Sequence, residues 1–167
     1  MSTAKRLNLN FNGCACLLLN HVDGIVYDLV KYLQDLQYSV WPSDDILFEN
    51  NDFIDEFDKK EYELLIEEAI EESKIIIVII TQDFVLSKNS IDRVNNIKKS
   101  KFKSVLGLVI EKIENLECLK GIDYYYNIYE DRIYEKGYDN YLLTGEEFNK
   151  FLKKLDVSAI ASFISIL

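Results

Sequence analysis

Residues 75–80 read Ile75-Ile76-Ile77-Val78-Ile79-Ile80, six β-branched residues in a row. Such side chains favour extended backbone, and an unbroken apolar run needs cover on both faces. That combination predicts a central strand of a parallel sheet with helices on either side. Immediately upstream, Leu64, Leu65, Ala69 and Ile70 recur at helical spacing and predict a helix over 61–73. Downstream, a polar helix is expected over 88–100, with Ile91, Val94 and Ile97 facing inward, followed by a strand at 104–110 (SVLGLVI). Further out, 14–20 (CACLLLN) is a second continuous apolar run and reads as a strand buried on both faces. Asp23 is placed to cap a helix carrying Ile25, Leu29, Tyr32, Leu33 and Leu36, and 38–41 (YSVW) reads as a short strand stopped by Pro42. Tyr124–Tyr126 fits a short edge strand. Thr144 and Glu147 have capping-box spacing and open a helix with Phe148, Phe151, Leu152 and Leu155 on one stripe.

Strands alternating with helices over short connections imply right-handed βαβ units. The expected fold is therefore α/β, a three-layer flavodoxin-like parallel sheet of about five strands flanked by helices. The domain is expected over 14–156, after an N-terminal extension at 1–13. An apolar tail at 157–167 is expected to dock on the body or on a partner.

The 167 residues are 49% hydrophobic and carry a formal net charge of −10. That is enough apolar material for one core and an unfavourable charge for binding nucleic acid or anionic membrane. No apolar stretch reaches the ~18–20 residues of a membrane span, and the N-terminus lacks the apolar stretch of a signal peptide. Three cysteines, Cys14, Cys16 and Cys118, do not make a disulfide framework, and one histidine, His21, does not complete a Cys/His zinc set. A cytoplasmic, reducing location is expected, with no metal or bound cofactor.

The usual chemistries of doubly wound folds find little here. The turn Asn20-His21-Val22-Asp23-Gly24 has one glycine and neither the dinucleotide nor the P-loop pattern. A phosphoacceptor site needs acidic residues at the ends of the first and third strands, where this chain has Leu19-Asn20-His21 and Ile80-Thr81-Gln82. Cys14 and Cys16 read as small core residues and His21 as a loop residue. The adjacent Asp44 and Asp45 read as solvated loop carboxylates.

Charge is distributed unevenly. From Ser43 to Glu72 thirteen carboxylates face two lysines, a local net of −11 that leaves about +1 for the rest of the chain. Lys98, Lys99, Lys101 and Lys103 cluster at the end of the next helix. Such a dipole can steer a basic partner or a second copy of the domain.

Four segments resemble the Toll/interleukin-1 receptor (TIR) domain family, over about residues 14–155. They are 33–40 (LQDLQYSV), 42–49 (PSDDILFE), 66–74 (IEEAIEESK) running into IIIVII, and 81–90 (TQDFVLSKNS). The second is similar to the family's BB loop, with Asp44 where arginine is common and Phe48-Glu49 in place of Pro-Gly. The family's NAD-cleaving members carry a glutamate on the helix after the central strand. That position falls on Arg93, with Asp92 one residue before it.

The resemblance implies a non-catalytic interaction module of the adaptor type, acting in innate-immune signalling by assembling with other TIR domains, or a decoy that blocks such assembly. Ser43, Asp44, Asp45, Ile46, Leu47, Phe48 and Glu49 would form the loop surface, with Ile46, Leu47 and Phe48 as apolar anchor. Ser87, Lys88, Asn89, Arg93, Lys98, Lys99, Lys101 and Lys103 would form the complementary one. Unlike surfaces of this kind make head-to-tail contacts. The alternative implied by the family is an NAD⁺ glycohydrolase with NAD as substrate and Asp92 as a displaced catalytic acid.

Overall fold

The computed structural model describes residues 14–19, 24–42, 59–98, 103–130 and 145–155. The central strand is Ile75–Ile80, buried at every position. It lies in a five-stranded sheet with β1 (Cys14–Leu18), β2 (Ser39–Trp41), β3 (Ile75–Ile80), β4 (Ser104–Val109) and β5 (Tyr124–Tyr126). The strand order is β2-β1-β3-β4-β5 and every pairing is parallel. This is the flavodoxin-like order, whose direction of winding reverses between β1 and β3.

The apolar runs lie side by side, with Leu17 opposite Ile77 and Ile77 opposite Leu106. A one-residue slip would gain nothing in a sheet covered on both faces, so register rests on the connections rather than on alternation.

Helix α1 (Gly24–Asp35) turns Val26, Leu29, Val30 and Leu33 onto the sheet. Gln37, at φ 70°, closes it in the left-handed conformation, and the Tyr38 N–H reaches back to the Leu33 carbonyl at 3.0 Å. This is a Schellman closure made with glutamine instead of glycine, and it delivers Tyr38 to the core and the chain into β2. The strand ends at Trp41, followed by a proline with no N–H to donate. The helix at 146–155, α5, shares that face of the sheet with α1. Tyr32 of α1 meets the Phe148 ring edge-on at 5.7 Å, and the Tyr38 hydroxyl donates to the Leu155 carbonyl at 3.4 Å.

The other face is covered by α2 (Lys59–Glu72), α3 (Gln82–Leu86) and α4 (Lys88–Asn95). Right-handed crossovers require this split, because β1 to β2 steps one way across the sheet and the later connections step the other. Each of α2 and α4 leads into the next parallel strand, so both run from the C-terminal to the N-terminal edge of the sheet.

Two expectations need correction. The helix expected at 88–100 ends at Asn95. There Asn95 accepts from the Gly121 N–H and donates to the Cys118 carbonyl, both at 2.9 Å, tying the helix to the β4–β5 connection. Ile97 is still buried, but through a tight final turn whose N–H bonds the Val94 carbonyl at 3.3 Å. The second correction is α3, a five-residue helix between β3 and α4 that no periodicity announced. The extension at 1–13, the tail at 157–167, and His21, Asp23, Thr144, Tyr134, Tyr138 and Tyr141 lie outside the described residues.

Candidate functional site

The loop surface expected at Ser43, Asp44, Asp45, Ile46, Leu47, Phe48 and Glu49 lies outside the described residues, as do Lys99 and Lys101. Of the remaining expected site residues, Ser87, Lys88, Asn89, Asp92 and Arg93 lie on the α3–α4 corner and along α4, while Lys98 follows α4 and Lys103 precedes β4.

The corner is built by two hydroxyl caps. Thr81, at the end of β3, is buried, and its Oγ1 accepts from the Phe84 N–H at 3.2 Å, starting α3. Ser87 ends α3 by donating its N–H to the Phe84 carbonyl at 3.2 Å, and starts α4 by accepting the Ser90 N–H on its Oγ at 3.3 Å. Each cap satisfies a helix-end N–H that would otherwise lack a partner. Ser87, expected to be an interface residue, is thus the joint of the corner. Beside it Leu86 stands 79% exposed, with Lys88 and Asn89 exposed next to it. Phe84 anchors the other side of α3 in the core at 2% exposure.

Below the corner, α2 and α4 flank a cleft of about 720 Å³. Glu63, Glu67 and Glu71 stand one turn apart along the α2 wall. Asn89, Asp92, Arg93 and Asn96 line the α4 wall, Ile70 and Ile97 add apolar lining, and Lys98 and Lys103 lie toward the N-terminal edge of the sheet. Periodicity makes the acidic wall legible in the sequence, since 63, 67 and 71 repeat every four residues. It does not indicate that α4 lies opposite.

Two of the cations expected on an outward complementary surface are engaged inside the chain. Arg93 forms an ion pair with Glu63, their side chains 19% and 43% exposed, and so ties α4 to α2. Lys103 donates to the carbonyls of Ile70 at 2.6 Å and Glu71 at 3.2 Å, satisfying acceptors at the C-terminal end of α2. Burial pushes the Lys103 ammonium below its ordinary pKa, and the nearby Glu71 carboxylate partly offsets this. Glu63, Glu67 and Glu71 of α2 and the cations Arg93, Lys98 and Lys103 therefore line one cleft.

Asp92, one residue before Arg93, is exposed and lines the cleft. Glu67, Asp92 and Lys98 make no ion pair with a described residue.

At the C-terminal edge of the sheet, where β1 and β3 part, the described residues are apolar or capping, ending in Leu19 and Thr81. Gln82 is held over the end of β4 by donating its Nε2 to the Lys112 carbonyl at 3.0 Å. Among the described residues no group of three or more His, Cys, Asp or Glu is placed to hold a metal ion, and no helix is long and apolar enough to cross a membrane. Cys16 is buried in β1 and Cys118 is exposed, and neither is in a disulfide. No protein-family model, no curated protein and no solved structure matches the chain.

Proposed function

We propose that the chain is a TIR-type interaction module that acts by assembling with other TIR domains, as an adaptor or as a decoy in innate-immune signalling. The reading starts from the four resembling segments, and one observation carries it further. Leu86 is a large apolar side chain, 79% exposed, held outward by a corner capped at both ends. Held on a corner capped at both ends, such a residue has the character of an anchor that buries on contact. Lys88 and Asn89 supply a polar rim beside it.

The test is Leu86→Ser, a substitution that removes apolar area without touching the core. Sedimentation velocity on the purified chain should show self-association that weakens in the variant, with an unchanged far-UV spectrum. Equal association of the two proteins would overturn the role of this corner.

A second reading, an NAD⁺ glycohydrolase, is favoured by one observation: Asp92 opens onto the α2–α4 cleft with no ion-pair partner among the described residues. Arg93 beside it is held by Glu63, leaving the Asp92 carboxylate as the acidic group nearest the expected position. Under this reading the chain consumes NAD⁺ and Asp92→Asn abolishes the loss. Under the assembly reading neither protein consumes it.

A further inference from the structure

The cleft between α2 and α4 has the size of a small-molecule site, within the range of about 300–1,000 Å³ usual for such pockets. Its α2 wall carries Glu63, Glu67 and Glu71, its α4 wall carries both Asp92 and Arg93, and Lys98 and Lys103 lie beyond the end of α4. Glu67 stands on α2 with Glu63 and Glu71 one turn to either side, and of those neighbours only Glu63 is compensated by an arginine. Like charges four residues apart on a helix repel, so this wall favours a cation. Toward the N-terminal edge of the sheet, Lys98 is exposed and makes no ion pair with a described residue. Ile70 and Ile97 put an apolar surface in the same cleft.

Both walls are fixed before anything binds. The Arg93–Glu63 pair ties the last turn of α4 to α2, and Lys103 ties the C-terminal end of α2 to the start of β4. Such pre-organisation reduces the ordering cost of binding. An anion alone would meet Glu67 and Asp92, and a cation alone would leave Lys98 without a partner.

We infer that this cleft binds a linear organic zwitterion, with its ammonium at Glu67, its carboxylate at Lys98 and its short apolar chain against Ile70 and Ile97. The site stands independently of the assembly proposal, since it uses neither Leu86 nor a second domain.

The probes are 6-aminohexanoate, hexylamine and hexanoate, titrated near neutral pH into isotope-labelled protein and followed by amide chemical shifts. 6-Aminohexanoate is expected to give saturable shifts confined to α2, α4 and Lys103, and to bind about tenfold more tightly than either singly charged analogue, the scale of one charge-assisted contact. Glu67→Gln should reduce its affinity to about that of hexanoate without weakening hexanoate binding. Lys98→Gln should do the converse with hexylamine. Both side chains are exposed, so the variant spectra should otherwise overlay the parent and report a folded protein. Shifts scattered over the surface, equal affinity for the three probes, or variants that bind 6-aminohexanoate as tightly as the parent would each overturn the inference.

Discussion

Gly121→Ala should be among the most damaging single-methyl additions to this chain, although residue 121 lies in a connection between strands. A Cβ built on Gly121 falls on the carbonyl oxygen of Val94, 2.9 Å from its carbonyl carbon and 3.1 Å from Asn95 Cα. Carbon atoms in comfortable contact sit about 3.5–4.0 Å apart. The opposing atoms are helix backbone, so relief requires moving α4 or the connection and not merely a rotamer. Overpacking of this kind costs about 1–3 kcal/mol. The same shift loosens the two Asn95 hydrogen bonds, to the Gly121 N–H and the Cys118 carbonyl, each contributing about 0.5–1.5 kcal/mol. The expected loss is about 2–4 kcal/mol, which for a chain of this size lowers Tm by roughly 5–15 °C. Urea denaturation followed by circular dichroism measures it, and Asn95→Ala, expected to lose about 1–2 kcal/mol, isolates the hydrogen-bond share. A Gly121→Ala loss below about 0.5 kcal/mol, within the range of ordinary surface changes, would refute the reasoning that α4 is pinned at this point.

The Arg93–Glu63 pair is intermediate in exposure, so Glu63→Gln should cost about 1–2 kcal/mol, between the values for exposed and buried pairs. A double-mutant cycle with Arg93→Gln should return a coupling of about 1 kcal/mol, and a coupling within about 0.3 kcal/mol of zero would remove the pair as the tie between walls. Tyr125 gives a pH dependence. Its hydroxyl donates to the Leu119 carbonyl at 2.6 Å, and burial, with the Cys118 thiol adding, raises its pKa above the ordinary 10.0. The unfolded chain releases this proton first, so the folded chain binds more protons between the two pKa values. The stabilisation is complete below pH 10.0 and is lost as pH rises toward the folded pKa. Tyr125→Phe should lose about 1 kcal/mol near neutral pH and fall less steeply in alkali, and parallel alkaline slopes for the two proteins would contradict this.

Reading the sequence outward from 75–80 recovers all five strands because each is short, apolar and bounded by polar residues. Tyr124–Tyr126 is legible as an edge strand for the same reason. What misleads is competition between local periodicity and a distant contact. Ile97 fits the spacing set by Val94, so the helix seems to continue, and only the Asn95 clamp on Cys118 and Gly121 ends it. The α3 helix is invisible to periodicity because five residues are too few to show a period, although Thr81 and Ser87 carry the cap chemistry that makes it. For the cleft, sequence spacing identifies the acidic wall and the cations singly. Their meeting, with Arg93 on Glu63 and Lys103 on the end of α2, depends on two crossovers placing α2 and α4 side by side on one face.

The proposed function is assembly with other TIR domains, and the alternative is NAD⁺ cleavage. The most direct test is a concentration series of the purified chain in analytical ultracentrifugation at low and high salt, with NAD⁺ measured in the same samples and in a bead-clustered one. The account predicts reversible, salt-sensitive association and constant NAD⁺ in every sample. A strict monomer at all concentrations, or NAD⁺ loss that disappears with Asp92→Asn, would contradict it.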